Sequence, residues 1–379
     1  MDKGALIEEA CQEILTYGVW DGKTRLKYLI KKYLMKRKMA PEDPVFWPTG
    51  LLAAGLWHCR QELGNKRPGA GQSGSREAEG NRAGTAEAPE SDIALIDLVL
   101  GAYYDRWFQK KCPVLWLDDL LAGEALLEMY EEYRKEGQGS SIRTKDVEKY
   151  RQAVERLADY GLSYPTDETG SFPYRAGQDN GFVFSDTIGL ACPFLYRYGA
   201  VYEKRETMEL AVKQIVNFLA YGMDIATGLP YHGYSIADDC KYGIIGWGRA
   251  TGWLMRGMGG CMTTEYGAGR LEDSYIKLAD AVLPFQRKDG YFAWQLQAME
   301  GPADTSATGM ICASLKQGIE LGILRGQKYG QALQAGRAAI EKSVRNGRVY
   351  DCSGECEGFG QYPQRYGAYP WALGAALML

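Results

Sequence analysis

Two aspartates have the setting that acid–base chemistry on a sugar requires. Asp118 stands in Trp116-Leu117-Asp118-Asp119-Leu120-Leu121 and Asp186 in Phe184-Ser185-Asp186-Thr187-Ile188. Each opens an apolar run rich in Gly and Ala and has aromatic residues just before it. An aspartate at a helix start is stabilised as a cap by backbone N–H groups and the helix dipole, and that role alone explains many of them. The aromatic neighbours favour a chemical role. A partly desolvated carboxylic acid beside a second carboxylate can hold a proton near neutral pH, and carboxylate pairs are the usual equipment of glycosidic chemistry. Asp119 competes with Asp118, but one step along a helix turns it about 100° away.

The other candidates are substrate-binding groups. His232 lies in Leu229-Pro230-Tyr231-His232-Gly233-Tyr234, a loop dense in side chains that contact sugars. Trp247 and Trp253 offer faces for stacking on a sugar, with core packing the competing reading for Trp253. Arg249 offers a bidentate fork for a carboxylate. Tyr174, Arg175, Tyr231 and Lys241 are secondary candidates for the same cavity. His58, in Leu56-Trp57-His58-Cys59, reads as a packed helical residue, and Asp238-Asp239 as a solvated loop pair. No cofactor is expected, because no Gly-rich phosphate loop follows a strand. No metal is expected either: Cys352 and Cys356 are the one close cysteine pair, the chain has two histidines, and no EF-hand spacing occurs.

Six helix starts must bring these residues together. They begin at Trp47, Asp118, Asp186, Trp247, Thr305 and Pro370, separated by 71, 68, 61, 58 and 65 residues. Each interval holds two helices and their loops, so the chain reads as six weakly similar helical hairpins. Closed into a ring, they form an all-α (α/α)6 toroid whose inner helices point their N-terminal ends at one mouth. Asp118, Asp186, Trp247 and Arg249 then converge there. One hairpin cannot hide its own apolar face, so residues 1–379 are expected to form a single domain. Gly50, Gly123, Gly189, Gly252, Gly309 and Gly374 fall near the inner helix starts, where glycine costs up to about 1 kcal/mol relative to alanine. A crowded centre would compensate for that cost.

The expected helices lie at 5–36 in one or two pieces, then from Thr49, from a Ser91 cap, after Asp118, and at about 147–160. Further helices are expected at 186–203, 206–221, 247–259, 270–285, 305–323, 328–344 and 370–379. Thr49 and Thr305 read as neutral caps. Leu26, Leu29, Ile30 and Leu34 share a basic-flanked face. About 64–89 and 134–144 read as exposed polar loops, and 163–184 as an irregular segment arching over the mouth. Short aromatic pieces such as Tyr291–Trp294 could form small hairpins.

Composition narrows the partners. Formal net charge is −4 and the pI about 5.6, which favours neither nucleic acid nor an anionic membrane. No run approaches the roughly 20 apolar residues of a membrane span. The N-terminal segment lacks the apolar core and cleavage site of a secretory signal. Nine cysteines are scattered without framework spacing, and Cys59, Cys192 and Cys312 read as small core residues of a reducing, cytoplasmic compartment. The expected partner is an acidic oligosaccharide substrate.

Residues 90–379 resemble the unsaturated glucuronyl and unsaturated rhamnogalacturonyl hydrolases, families 88 and 105 among glycoside hydrolases. Three segments carry the resemblance: Leu117-Asp118-Asp119-Leu120-Leu121-Ala122-Gly123; Ser185-Asp186-Thr187 through Cys192-Pro193-Phe194-Leu195; and Tyr231-His232 with Trp247-Gly248-Arg249-Ala250-Thr251-Gly252-Trp253. The last departs from the family's Trp-x-Arg-Gly-Asn-Gly-Trp at Ala250-Thr251. Gly170-Ser171-Phe172-Pro173-Tyr174-Arg175 stands where the rhamnogalacturonyl branch often has a histidine. The resemblance implies a six-hairpin toroid and removal of a 4,5-unsaturated uronic acid from the non-reducing end of a lyase product. It makes Asp186 the acid that protonates C4 and then helps water attack C5. Asp118 would hold ring hydroxyls and keep Asp186 protonated, and Arg249 or a basic neighbour would meet the substrate carboxylate. The carboxylate-separation rule for attack at C1 does not apply to such a reaction.

Three alternatives share these residues. A sugar epimerase or isomerase would want a base on each side of a ring carbon, commonly histidines, and His232 alone argues against it. A conventional glycosidase would use the same two aspartates at C1. A non-catalytic carbohydrate-binding protein would show a broad aromatic platform with no enclosed acid.

Overall fold

The computed structural model describes residues 1–36, 42–65, 87–136, 144–177, 181–357 and 361–379. Outer and inner helices alternate along the chain. The first pair is α1 (Lys3–Thr16) and α3 (Trp47–Asn65), with α2 (Gly22–Leu29) and a π-helical turn (Ile30–Leu34) between them. Then come α4 (Glu87–Gln109) with α5 (Gly123–Glu136), α6 (Thr144–Leu162) with α7 (Ser185–Val201), and α8 (Arg205–Tyr221) with α9 (Gly248–Gly260). The last pairs are α10 (Glu265–Val282) with α11 (Thr305–Glu320), and α12 (Gln327–Lys342) with α13 (Pro370–Leu377).

The inner helices close a ring. A 3₁₀ turn (Leu117–Ala122) leading into α5 packs on α3 and α7; α7 packs on α9, α9 on α11, α11 on α13, and α13 back on α3. Glycine sets the spacing. A Cβ on Gly50 would lie 3.0 Å from Ala122 N, on Gly123 2.6 Å from Phe194, and on Gly189 2.5 Å from Trp253. On Gly252 it would lie 2.6 Å from Met310, on Gly309 2.9 Å from Ala375, and on Gly374 2.8 Å from the Leu51 carbonyl oxygen. Each glycine therefore faces the next inner element, and the last faces the first. The inner helices are apolar on nearly every side, as α13 shows with all eight residues buried. The outer helices are amphipathic: α10 buries Gly267, Leu271, Tyr275, Leu278, Ala279 and Val282, a row spaced by turns of the helix.

Several local expectations are corrected. Ser91 is no cap, because α4 already begins at Glu87. Thr49 lies inside α3, which starts at Trp47. The α11 cap is Asp304 rather than Thr305; its carboxylate accepts from Ser306 N at 2.9 Å, whereas the Thr305 hydroxyl donates to the Tyr350 carbonyl. Most of the polar loop expected at 64–89 lies outside the described residues, with α3 reaching Asn65 and α4 starting at Glu87. The core of the second polar loop, 137–143, also lies outside them. The sequence gives little sign of a three-stranded antiparallel sheet in order β1-β2-β3, formed by β1 (Val183–Phe184), β2 (Gly233–Ser235) and β3 (Cys240–Tyr242). Around Tyr291–Trp294 the chain makes isolated bridges, Gln286 to Phe292 and Ala293 to Ala303. Cys59, Cys192 and Cys312 are buried in the helical core.

Candidate active site

The described parts of the segments joining outer to inner helices lead to the mouth, where the N-termini of the inner helices meet. The small sheet belongs to these connections: β1 runs directly into α7, and its pairing of Phe184 with Gly233 fixes where α7 starts relative to the His232 loop. Ser185 N donates to the His232 carbonyl at 2.9 Å, tying the two segments at the backbone.

Asp186 sits in the first turn of α7, near the positive end of the helix dipole. Its Oδ2 is 3.2 Å from His232 Nε2 and 3.3 Å from the Ser185 hydroxyl. His232 is fully buried, and its Nδ1 pairs with the Tyr362 hydroxyl at 2.8 Å. Its Nε2, on the other side of the ring, faces Asp186. Phe184 stacks on the imidazole at 4.5 Å, Trp247 meets it edge-on at 4.7 Å, and Tyr362 closes over both. Trp247 caps α9 with its indole Nε1 buried and without a hydrogen-bond partner among the described residues. The Asp186 side chain is 15% exposed, so it keeps access to solvent in a nest of buried rings.

Asp118 is held differently. It lies in the 3₁₀ turn before α5 and is 1% exposed. Arg175 grips it with Nη2 at 3.0 Å from Oδ2 and Nη1 at 3.3 Å from Oδ1, and the Tyr174 hydroxyl donates to Oδ2 at 3.0 Å. The guanidinium is sandwiched over the Trp116 ring at 4.4 Å and the Tyr174 ring at 4.1 Å. Burial pushes the Asp118 carboxyl above its ordinary range; Arg175 and Tyr174 pull it down, and the Asp186 charge adds to the rise. The two aspartates are thus close enough to sense one another, one shut behind an arginine and the other open.

Arg249 reaches the mouth, but its guanidinium is already bound. Nη1 donates to the Ser353 carbonyl and hydroxyl at 3.1 and 3.0 Å, and Nη2 to the Gly354 carbonyl at 3.0 Å. Trp253 is a core residue, 1% exposed and edge-on to Trp47. Tyr231 and Lys241 lie together beside the chain leaving α8, the ammonium 5.5 Å from the ring centroid and donating to the Met223 carbonyl. Neither side chain is hydrogen-bonded or ion-paired to Asp186 or Asp118 among the described residues.

Three further groups stand at the mouth, and of their residues Asp119 alone was legible in the sequence. Tyr362 is one. Glu355, on the segment that Arg249 holds, is another; partial desolvation pushes its carboxyl up, Asp118 adding to the rise and Arg249 and Arg175 opposing it. The third is a pair, Asp43 with Asp119. Asp119 Oδ2 accepts from Leu115 N at 2.7 Å and Trp116 N at 3.2 Å, and Asp43 Oδ1 accepts from Val45 N at 3.0 Å. Their remaining oxygens are buried, and that burial pushes both carboxyls above their ordinary range. No cluster of three or more possible metal ligands occurs among the described residues.

A closed ring of helical hairpins with carboxyls at its mouth is the architecture of a class of carbohydrate-active hydrolases. Residues 92–379 match Glycosyl Hydrolase Family 88, and the chain belongs to that family. It is similar to Protein Atu3128 of Agrobacterium fabrum, 29% identical over 164 residues that span 40% of this chain and 70% of that protein. It is also similar to an unsaturated 3S-rhamnoglycuronyl hydrolase of an Alteromonas species, 30% identical over 112 residues, only 27% of either chain. A crystal structure described as a possible member of GH105 family from Klebsiella pneumoniae subsp. pneumoniae superposes with a TM-score of 0.77 at 15% identity. That superposition covers 100% of this chain and 91% of the other, and supports the fold.

Proposed function

We propose that this hydrolase removes a 4,5-unsaturated uronic acid from the non-reducing end of oligosaccharides by hydrating the C4=C5 bond. The observation that carries the reading is the contrast between the two aspartates: Asp186 retains exposure while Asp118 is closed behind Arg175 and Tyr174. That contrast favours Asp186 over Asp118 as the group that exchanges a proton with a bound ring.

The steps follow from its contacts. With His232 holding Oδ2, the other oxygen of Asp186 delivers a proton to C4, and positive charge develops at C5 and the ring oxygen. Water adds to C5 and returns a proton to the Asp186 carboxylate. The C5 hemiketal opens to a ketone, leaving a hemiacetal at C1 that collapses and releases the remaining sugar. One water is consumed, and Asp186 ends as it began. The half-buried Tyr362 ring, backed by Trp247, offers a wall for a ring face. Arg175, 19% exposed beside Asp118, is better placed than Arg249 to meet the substrate carboxylate. The activity of the Alteromonas relative, an unsaturated 3S-rhamnoglycuronyl hydrolase, supports the same choice.

The test is loss of the near-ultraviolet absorbance of the conjugated enol-ether carboxylate when the protein meets unsaturated disaccharides. Asp186→Asn should lower that rate by at least about a hundredfold while circular dichroism and melting stay as in the parent. Near-normal turnover by the variant would remove Asp186 as the acid. Cleavage of saturated aryl glycosides, with unsaturated disaccharides left intact, would point to attack at C1 instead.

A further inference from the structure

The helix between α1 and α3 is made for a partner that the described residues do not supply. Leu26, Leu29, Ile30, Tyr33 and Leu34 recur at i, i+3, i+4, i+7 and i+8, the spacing of a helix face that ordinarily turns into a core. Here it turns outward: Leu26 is 58% exposed, Tyr33 66% and Leu34 78%, and no residue of α2 or its π-helical turn is buried. The rest of its surface is basic. Residues 22–36 carry Lys23, Arg25, Lys27, Lys31, Lys32 and Lys36 with no acidic residue, leaving the remaining chain at a formal −10. The net charge of −4 therefore conceals a cationic, amphipathic segment. It is nonetheless built as a helix: Asp21 caps it by accepting from Thr24 N at 2.7 Å, and Leu, Lys and Arg are strong helix formers. An isolated helix of this length is marginal in water, so a surface covering its apolar face would also stabilise it.

We propose that residues 22–36 bind the surface of an anionic lipid bilayer, the leucines entering the boundary below the headgroups and the lysines pairing with lipid phosphates. Two other occupants fit less well. A two-fold dimer would set this face against itself and bring each set of lysines up to the other, across fewer side chains than the roughly 800 Å² per partner of a stable complex. A polyanionic polysaccharide would use the lysines and leave the leucines in water. Lipid satisfies both halves of the pattern. Because α2 lies in an outer-to-inner connection, docking would hold the mouth end of the toroid toward the bilayer.

The experiment is co-sedimentation of the intact chain with vesicles of phosphatidylcholine alone and of phosphatidylcholine with phosphatidylglycerol. Binding is expected only with phosphatidylglycerol present, weakening as salt rises. Leu29→Ser/Leu34→Ser and Lys31→Glu/Lys32→Glu should each weaken it by at least about tenfold, with melting temperature and turnover unchanged. No sedimentation with the anionic vesicles overturns the proposal. So does vesicle binding indifferent to the serine variant, which would place the contact elsewhere. A concentration-dependent dimer lost in the serine variant assigns the face to a second copy and overturns it as well. Retention on heparin without vesicle binding does the same in favour of a polysaccharide.

Discussion

At the scale of single residues, the Asp43–Asp119 pair is a buried source of strain directly behind Asp118. Both carboxyls titrate above their ordinary range because burial and mutual proximity disfavour a second negative charge. A raised folded-state pKa means that the native state binds protons more tightly than the unfolded chain. Stability therefore falls as pH rises from the unfolded carboxylate range through the folded one, and the penalty is in force at neutral pH. Asp43→Asn keeps the oxygen that accepts from Val45 N and offers an amide N–H to Asp119 in place of a second carboxyl. The variant should be more stable than the parent at neutral pH by on the order of 1 kcal/mol, with the gap closing in acid. Denaturant unfolding across pH measures this, and a variant less stable at neutral pH would show that the pair is favourable as it stands. The same residues show what the sequence disclosed. Asp118, Asp186 and His232 were legible because helix starts and an aromatic loop have local signatures. Asp43, Glu355 and Tyr362 were not, since each reaches the mouth from a connection whose path depends on tertiary packing. Arg249 was read as a free guanidinium because its partners, Ser353 and Gly354, are more than a hundred residues away.

At the scale of elements, identical residues have opposite meaning in the two rings of helices. Gly189 in α7 faces Trp253, where a Cβ would lie 2.5 Å from Cε3 and 2.6 Å from the carbonyl oxygen, an atom that cannot swing aside. Gly269 in α10 has nothing within 4 Å of the same position. Gly189→Ala should cost about 1–3 kcal/mol or more through overpacking, and Gly269→Ala should add about 0.5–1 kcal/mol by restricting the unfolded chain. Thermal and denaturant unfolding of the two variants would show the contrast; a neutral Gly189→Ala would mean that α7 and α9 can move apart. The recurrence of glycine near the inner helix starts was visible in the sequence, and so was the alternation of two helices per repeat. Which atoms each glycine meets was not, because the neighbouring inner element lies roughly sixty residues away. The small sheet was missed for a different reason: strands of two or three residues carry no period.

At the scale of the whole molecule, the ring is closed by glycine contacts along its inner wall and by a polar cross-tie at its mouth. Arg249 from α9 holds Ser353; Ser353 donates its hydroxyl to Asp304 Oδ2 at 2.6 Å and its N–H to Oδ1 at 3.2 Å; Asp304 caps α11. Trp371 of α13 donates its indole N–H to the Ser353 carbonyl at 3.0 Å, and the Arg249 guanidinium lies over both Trp247 and Trp371. Three inner helices thus meet on one serine, and Arg249 and Asp304 are 2% and 0% exposed. Lysine cannot copy this, because a single ammonium does not span the Ser353 and Gly354 carbonyls or stack as a plane between two indoles. Arg249→Lys should therefore lose about 2–4 kcal/mol of stability through unsatisfied buried carbonyls and a weakened charge partner for Asp304. KM for an unsaturated disaccharide should change little beside that loss. A substrate clamp predicts the reverse split, an unchanged unfolding midpoint with a steep rise in KM, so measuring both quantities on one variant decides whether Arg249 belongs to the ligand or to the frame that shapes the mouth.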